Sequence, residues 1–405
     1  MIQGADRGRI SLWLLVATAI VINAPLVGAT VPARVSSITV SPPIATRMAI
    51  EPATDGTSEF VGTWPFPPGE ILQSQAATLS AQGTVRVAVR VGSTPFGFTL
   101  VRVAGPNRYD TAIQVSQREF GSAPVVVLAT GENWPDALGG SSLAGACNGP
   151  LLLTQRAALP ASVRAEIARL GAGRVYLLGG TAAVGPAVES ALVSMLGRAN
   201  VTRLGGSDRY GTARLVADET IRVLGGGYSG SALVATGVNF PDATAGAAVA
   251  AALGRPILLA RPGSTDVYLP PATRRVLILG GPAAVSGATE RALASRLGGA
   301  VGRAGGANRY ATAVLIAQAG VAAGMSWDGM GLATGVAFPD ALSGGAMVGA
   351  HNSVLLLTQP STLTGETRAV LAQHRESIHT LYLFGSTRAV TGGVEDAVRA
   401  AVAGS

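Results

Sequence analysis

Short uninterrupted apolar runs alternate with segments of helical period along most of this chain. Thr99 to Val103 is a short apolar strand candidate, and Tyr109 to Gln117 carries a helical period behind Asn107, a residue suited to cap a helix. Pro124 to Thr130 is continuously apolar, as a strand buried on both faces must be. A polar loop follows, then a small-residue helix to Ala146, in which Pro135 fits the first turn. Leu151 to Thr154 and Arg174 to Leu178 are further strands. Leu159 to Leu170, closed by Gly171, and Gly185 to Leu196 are further helices. Regular alternation of this kind predicts an α/β fold, with parallel sheets flanked by helices and right-handed crossovers.

The pattern is written three times. R-x-x-G-x-[ND]-R-Y-x-T begins at Arg102, Arg203 and Arg303, about 100 residues apart, which is a domain-sized period rather than a solenoid turn. A-T-G-x-x-[FW]-P-D-A follows each copy and ends on Asp136, Asp242 and Asp340 plus one alanine. A glycine turn then follows the fourth strand at Gly179, Gly280 and Gly385. The spacing predicts tandem units over 98–200, 201–300 and 301–405. The second unit is shorter between these landmarks, and the deficit falls near Pro270 and Pro271, which predicts a short or broken third helix there.

The other segments look different. Arg7 and Arg9 precede an apolar stretch from Ile10 to Val27 and small residues at 28–29, the pattern of a signal peptide over 1–29; an uncleaved anchor is the alternative. Residues 30–97 are rich in Pro, Thr and Ser and read as a linker or small adaptor, with one candidate strand from Val85 to Val91. No later apolar run reaches the roughly 18 residues of a membrane span.

Charge narrows the chemistry. The net charge is +7, and all 30 basic residues are Arg, each a planar fork suited to phosphate or carboxylate. The charge is dispersed, without the basic run of a nucleic-acid arm. Without Lys no P-loop can form, and the glycine pairs lack G-x-G-x-x-G, so they read as tight turns rather than nucleotide cradles. His351, His374 and His379 lack zinc spacing, and Cys147, a lone cysteine in a small-residue stretch, reads as a packed apolar side chain. No metal and no cofactor is expected. Triplication itself favours binding over catalysis, because a catalytic site is normally present once per chain.

The two motifs resemble those of the cell wall-binding repeat 2 family, over roughly residues 98–405. That resemblance implies three Rossmann-like modules packed as a pseudo-threefold trimer, in an exported protein of a Gram-positive type envelope. It also implies non-covalent attachment to an anionic wall glycopolymer, teichoic-acid-like or another secondary polymer. Such repeats accompany wall hydrolases of the N-acetylmuramoyl-L-alanine amidase type and surface-layer or adhesion proteins, which are the alternative readings. No zinc-ligand or Ser–His–acid pattern supports a hydrolase, and 30–97 is short for an enzyme.

The candidate polymer-binding residues recur once per unit. Arg108, Arg209 and Arg309 fall in the first turn of a helix, against its dipole, so an anion should lie nearby. That anion is either the polymer or the recurring Asp136, Asp242 and Asp340. Arg102, Arg203 and Arg303 sit at strand ends and face either ligand or a neighbouring module. Tyr109, Tyr210 and Tyr310 pack or stack on sugar. Thr111, Thr212 and Thr312 bond an anion or the helix backbone.

Overall fold

The computed structural model describes residues 97–404 and four short strands in the N-terminal segment. The chain divides into two units, Met1–Gly97 and Phe98–Ser405. In the first, β1 (Ile10–Trp13) pairs antiparallel with β2 (Ala19–Ile22), and β3 (Thr78–Leu79) with β4 (Val85–Arg86). The candidate strand from Val85 is described only over those two residues. Apart from β1 and β2, the expected leader over 1–29, its cleavage site and the remainder of the adaptor lie outside the described residues.

The second unit holds three four-stranded parallel sheets. The first is ordered β7-β6-β8-β9, with β6 (Val125–Thr130), β7 (Leu151–Thr154), β8 (Arg174–Leu178) and β9 (Val201–Leu204). The second is β11-β10-β12-β13, with β10 (Ser231–Thr236), β11 (Ile257–Ala260), β12 (Arg275–Leu279) and β13 (Val301–Ala304). The third is β15-β14-β16-β5, with β14 (Ser326–Thr334), β15 (Ser353–Thr358) and β16 (Thr380–Phe384), closed by β5 (Thr99–Val103).

Each sheet therefore takes three strands from one repeat and its fourth from the next. The leading strand of repeat 2 completes the sheet of repeat 1, and that of repeat 3 completes repeat 2. The leading strand of repeat 1, β5, returns to complete repeat 3, with Arg102 opposite Leu383 and Val103 opposite Phe384. The three repeats are thus tied into a closed series by backbone hydrogen bonds.

Helices follow the expected order. The leading helices are α1 (Arg108–Glu119), α5 (Arg209–Leu224) and α9 (Arg309–Ala322). Their caps are as expected: Asn107 accepts from the amides of Tyr109 and Asp110, Asp208 from Gly211, and Asn308 from Tyr310 and Ala311. The third helix is α3 (Ala161–Arg169) in repeat 1 and α11 (Gly365–Gln373) in repeat 3. Repeat 2 has no helix between β11 and β12, where the prolines remove amide donors.

The loop prolines differ from expectation in one repeat. Pro241 opens α6 (Pro241–Ala245) and Pro339 opens α10 (Pro339–Ala350), but Pro135 precedes a run of turns, and α2 begins only at Gly140 (Gly140–Ala146). Repeat 1 has Gly139 beside Gly140, where the others have Ala245 and Ser343 before their glycine, so its first turn is the weakest helix former.

The centre is made by small residues. α7 (Ala247–Ala252) follows α6, and α2, α7 and α10 touch one another pairwise. A Cβ on Gly145 would fall 2.4 Å from the Ala251 carbonyl oxygen, and one on Gly349 2.6 Å from that of Ala248. The richness in Gly and Ala is thus a packing requirement for helices in backbone contact. Around it, Val126 to Ala129, Leu332 and Ala333 are fully buried, which explains the unbroken apolar runs.

Phe384 is the largest fully buried side chain among the described residues, and its ring lies against Gly331 and Gly344. Phe384→Ala should lower stability by about 3–5 kcal/mol, measured by urea unfolding; a loss under 1 kcal/mol would contradict this packing.

Candidate functional site

The six recurring arginines divide into two classes. The leading arginines are enclosed. Arg102 donates to the Gly385 carbonyl (2.8 Å) and, through Nε (3.2 Å) and Nη2 (2.9 Å), to Glu395 Oε2. Arg203 donates to the carbonyls of Gly179 (2.8 Å) and Val184 (2.9 Å) and through Nε to Glu189 (2.9 Å). Arg303 repeats this on Gly280 (2.7 Å), Val285 (3.0 Å) and Glu290 (2.8 Å).

Each glutamate lies in the first turn of the last helix of the preceding repeat: α4 (Pro186–Leu196), α8 (Gly287–Arg296) and α12 (Gly392–Ala403). There the helix dipole also favours a carboxylate. Each leading arginine therefore clasps the repeat whose sheet its strand completes. Of the two readings left open for these residues, the structure supplies the neighbouring module.

Hydrogen bonds from Arg198 and Arg203 hold Glu189 below its ordinary range. Burial pushes Glu395 up, but hydrogen bonds from Arg102 and Arg399 outweigh it. Because both are depressed on folding, their stabilisation is present above the ordinary carboxylate range and lost as pH falls through the lowered values. Arg303→Ala leaves Glu290 without its partner. We expect a loss of about 2–4 kcal/mol, below the figure for a fully buried pair because both groups keep some solvent. Chemical denaturation checks it, and an unchanged midpoint would contradict the clasp.

The second arginines are open. Arg108 Nη1 donates to the Gly131 carbonyl, Arg209 Nη1 to Gly237 (2.7 Å) and Arg309 Nη1 to Gly335 (2.5 Å). No other hydrogen bond or ion pair engages their guanidinium groups among the described residues. Arg108 is exposed, and Arg209 and Arg309 are partly so. Of the two anions left open for these arginines, the loop aspartate of the same repeat forms no ion pair with them among the described residues. Instead Asp340 feels Arg108, and Asp242 feels Arg309, across the junction with the following repeat.

The tyrosines and threonines have local roles. The rings of Tyr109, Tyr210 and Tyr310 lie against Gly131, Gly237 and Gly335, where a Cβ would collide with them. Thr111, Thr212 and Thr312 are buried, and their hydroxyls accept from the amides of Gly105 (3.0 Å), Gly206 (3.1 Å) and Gly306 (3.0 Å). They fasten the turn that precedes each leading helix.

The aspartates sit beneath the glycine turns. Gly179, Gly280 and Gly385 have φ of +99°, +100° and +101°. A Cβ on them would come within 3.2 Å of Asp136, Asp242 and Asp340 side-chain atoms. Glycine is required there both for the backbone and for the carboxylate below it. Burial pushes Asp242 up, and Asp340 up to about 6, against the opposing pull of Arg309 and Arg108.

Two features escaped the sequence reading. The clasp glutamates recur five residues after a valine, at Val184 and Glu189, Val285 and Glu290, Val390 and Glu395, a signal visible in the sequence. The loop aromatics also converge: Trp134 and Phe240 lie 6.2 Å apart, as do Phe240 and Phe338. Arg209 of repeat 2 lies 4.9 Å over the Trp134 ring of repeat 1. The three loops thus meet, with an open arginine beside the aromatics at one junction.

The remaining groups fill structural positions. Cys147 is partly buried at the end of α2, and burial pushes its thiol up to about 11. His351 pairs with Glu119 (2.5 Å), His379 with Asp328 (3.3 Å), and His374 stacks on Trp327. Among the described residues no group of three His, Cys, Asp or Glu side chains is placed to hold a metal, and no helix is long and apolar enough to cross a membrane.

The model of cell wall binding domain 2 matches residues 102–189, 203–290 and 303–395. The chain is 27% identical over 308 residues to N-acetylmuramoyl-L-alanine amidase LytC of Bacillus subtilis, covering 75% of this chain and 58% of that protein. It is 29% identical over 298 residues to the Amidase enhancer of the same organism, covering 73% of this chain and 40% of that one. It thus spans well under two thirds of either relative. Solved structures of Cwp8 and Cwp6 from Clostridium difficile share the fold. Their TM-scores are 0.64 and 0.66 at 24% and 21% identity, over 75% and 80% of this chain and 51% of each of theirs. With three matched segments that together span most of its length, this chain belongs to the cell wall binding domain 2 family.

Proposed function

We propose that this protein is exported, is not an enzyme, and attaches to the cell wall by holding an anionic wall polymer at the junctions between its repeats. The observation that carries the reading is the division of the arginines. Arg102, Arg203 and Arg303 spend their donors on the neighbouring repeat, whereas Arg108, Arg209 and Arg309 each spend one and keep the rest of the fork. A guanidinium with unspent, coplanar donors suits phosphate or carboxylate. Its place beyond the C-terminal ends of parallel strands is where such sheets bind ligands. The pairwise contacts of α2, α7 and α10 and the meeting of the loop aromatics support the pseudo-threefold arrangement, which would present three such groups to one repetitive chain. Asp136, Asp242 and Asp340 line the same junctions. Tyr109, Tyr210, Tyr310 and the three threonines shape them.

Binding of the purified protein to isolated walls should weaken steeply between about 0.15 M and about 1 M salt, because the Debye length shortens from ~8 Å to ~3 Å. Salt-insensitive binding would contradict an electrostatic contact. A cleared band on a peptidoglycan zymogram would overturn the non-enzymatic part and favour a hydrolase of the kind named among its relatives.

A further inference from the structure

The strands of the second sheet begin beside two arginines, at the end opposite the loops described above. Arg275 opens β12 and pairs in register with Ser231, which opens β10. Arg255 lies two residues before Ile257, the β11 partner of Leu233, and Ser231 lies two residues before Leu233. Pro256 follows Arg255 and keeps its backbone extended, so the alternation of the strand reaches back to it. Arg255, Ser231 and Arg275 therefore share one side of the sheet, on three neighbouring strands. It is the side on which α7 packs, because a Cβ on Gly246, just before that helix, would meet Leu279 and Leu233. Two strand spacings, about 10 Å, separate the arginines, a span that two extended side chains can close on one ion.

Neither guanidinium has a hydrogen bond or an ion pair among the described residues. The Nε of Arg255 is closed to solvent without a partner. Arg203 Nη2 is enclosed too, but it lies 2.9 Å from Glu189. Burial and the like charge of Arg275 pull the Arg255 guanidinium below its ordinary range. The end of α7, just before Arg255, offers only the partial charge of a helix terminus.

The first sheet shows the counter-charge that is missing. Arg174 opens β8 there, as Arg275 opens β12. The leading helix of the next repeat, α5, brings up Glu219, whose carboxyl is held below its ordinary range chiefly by Arg222 (2.6 Å) and in part by Arg174. Glu219 lies ten residues after Arg209, and the residue ten after Arg309 in α9 is Ala319. Position 255 is also particular to its repeat, since Gly149 and Ser353 stand two residues before the matching Leu151 and Leu355. At this end the second sheet thus has one arginine more and one carboxylate fewer than the first. A partly desolvated guanidinium without a partner is costly, and an oxyanion placed between two of them offsets that cost.

We propose that the base of the second sheet is a separate anion site, in which Arg255 and Arg275 hold a tetrahedral oxyanion of the phosphate class and the Ser231 hydroxyl donates to it. Planar forks on two sides suit a group with four oxygens. The site does not depend on the wall-polymer reading, because six-residue β10 sets it roughly 20 Å from the strand ends that carry the loops.

The experiment is a calorimetric titration of inorganic phosphate into the full chain, at an ionic strength held constant with chloride. The background carries Arg108→Gln, Arg209→Gln and Arg309→Gln, so the loop arginines contribute nothing. This chain should still bind a single phosphate. Adding Arg255→Gln and Arg275→Gln should weaken that binding at least about tenfold. Ala319→Glu keeps both arginines but supplies the carboxylate of the first junction, and it should weaken binding by a similar factor. Thermal melts without phosphate confirm that each chain folds. If loss of the arginines unfolds the protein, the Ala319→Glu chain decides. Absence of phosphate binding in the background chain would overturn the proposal, and so would binding indifferent to positions 255, 275 and 319. Phosphatidylglycerol vesicles separate the sources. Retention that Arg255→Gln and Arg275→Gln abolish assigns a lipid headgroup, whereas phosphate binding without retention assigns a free phosphate; either upholds the site.

Discussion

A chain in which Arg108, Arg209 and Arg309 are all replaced by Gln should fold and lose its grip on the wall. A charge-assisted hydrogen bond to a partly desolvated anion contributes about 1.5–3 kcal/mol, and linkage of sites adds avidity of about 10²–10⁴. The triple variant should therefore bind at least about 100-fold more weakly, while any single substitution should cost much less. The fold should survive, because each arginine gives up one hydrogen bond to a loop carbonyl, a loss of about 0.5–1.5 kcal/mol apiece, and Arg209 in addition its contact with the Trp134 ring, about 0.5–1 kcal/mol at such a site. Replacing the clasp arginines should do the reverse, lowering stability while leaving the wall affinity of the folded fraction unchanged. Paired melting and wall-binding curves read both effects. If the two sets of variants lose binding equally, the division of the arginines is wrong.

Deleting β5 should have the largest effect on stability. That strand supplies the fourth member of the last sheet through five paired positions from Thr99 to Val103. It also carries Arg102, whose bond to Glu395 joins residues 293 apart in sequence. Its loss leaves Glu395 without Arg102, opens the edge of β16, and uncovers buried Val103's neighbours Leu383 and Phe384. Breaking this partly buried pair costs about 2–4 kcal/mol, and exposing each fully buried apolar side chain about 1.5–3 kcal/mol. The sum approaches the whole stability of a typical domain, about 5–15 kcal/mol. We expect a chain starting after Val103 to expose repeat 3 to protease while repeat 1 resists longer. Uniform resistance across the three repeats would show that closure by β5 is dispensable.

Much of this fold was legible because it is local. Asn107, Asp208 and Asn308 cap helices through bonds two or three residues away, so a short window contains the whole interaction. Unbroken apolar runs announce strands buried on both faces, and two prolines mark the missing helix of repeat 2. The sheet that each leading strand joins was not legible. Parallel pairing is set by contacts far apart in sequence, and a strand at a repeat boundary carries the same pattern whichever neighbour it completes. The fate of the arginines followed from that. Arg102, Arg203 and Arg303 look like ligand-facing residues at strand ends until the preceding repeat brings its glutamate alongside. The reading in which Arg108, Arg209 and Arg309 pair with the recurring aspartates of their own loops meets the same obstacle: no such ion pair forms among the described residues, and for Arg108 and Arg309 the aspartate whose charge acts on them belongs to the preceding repeat in the closed series. Pro135 failed locally: one added glycine, Gly139, was enough to delay a helix that the same motif starts elsewhere.

The most direct test of the account is a pull-down of the purified protein with isolated Gram-positive walls, before and after chemical removal of their secondary polymers. Binding should be strong to intact walls and fall to background on stripped walls, with the Arg108, Arg209 and Arg309 triple variant at background on both. Equal retention of the native protein by intact and stripped walls would contradict capture of an anionic polymer at the repeat junctions.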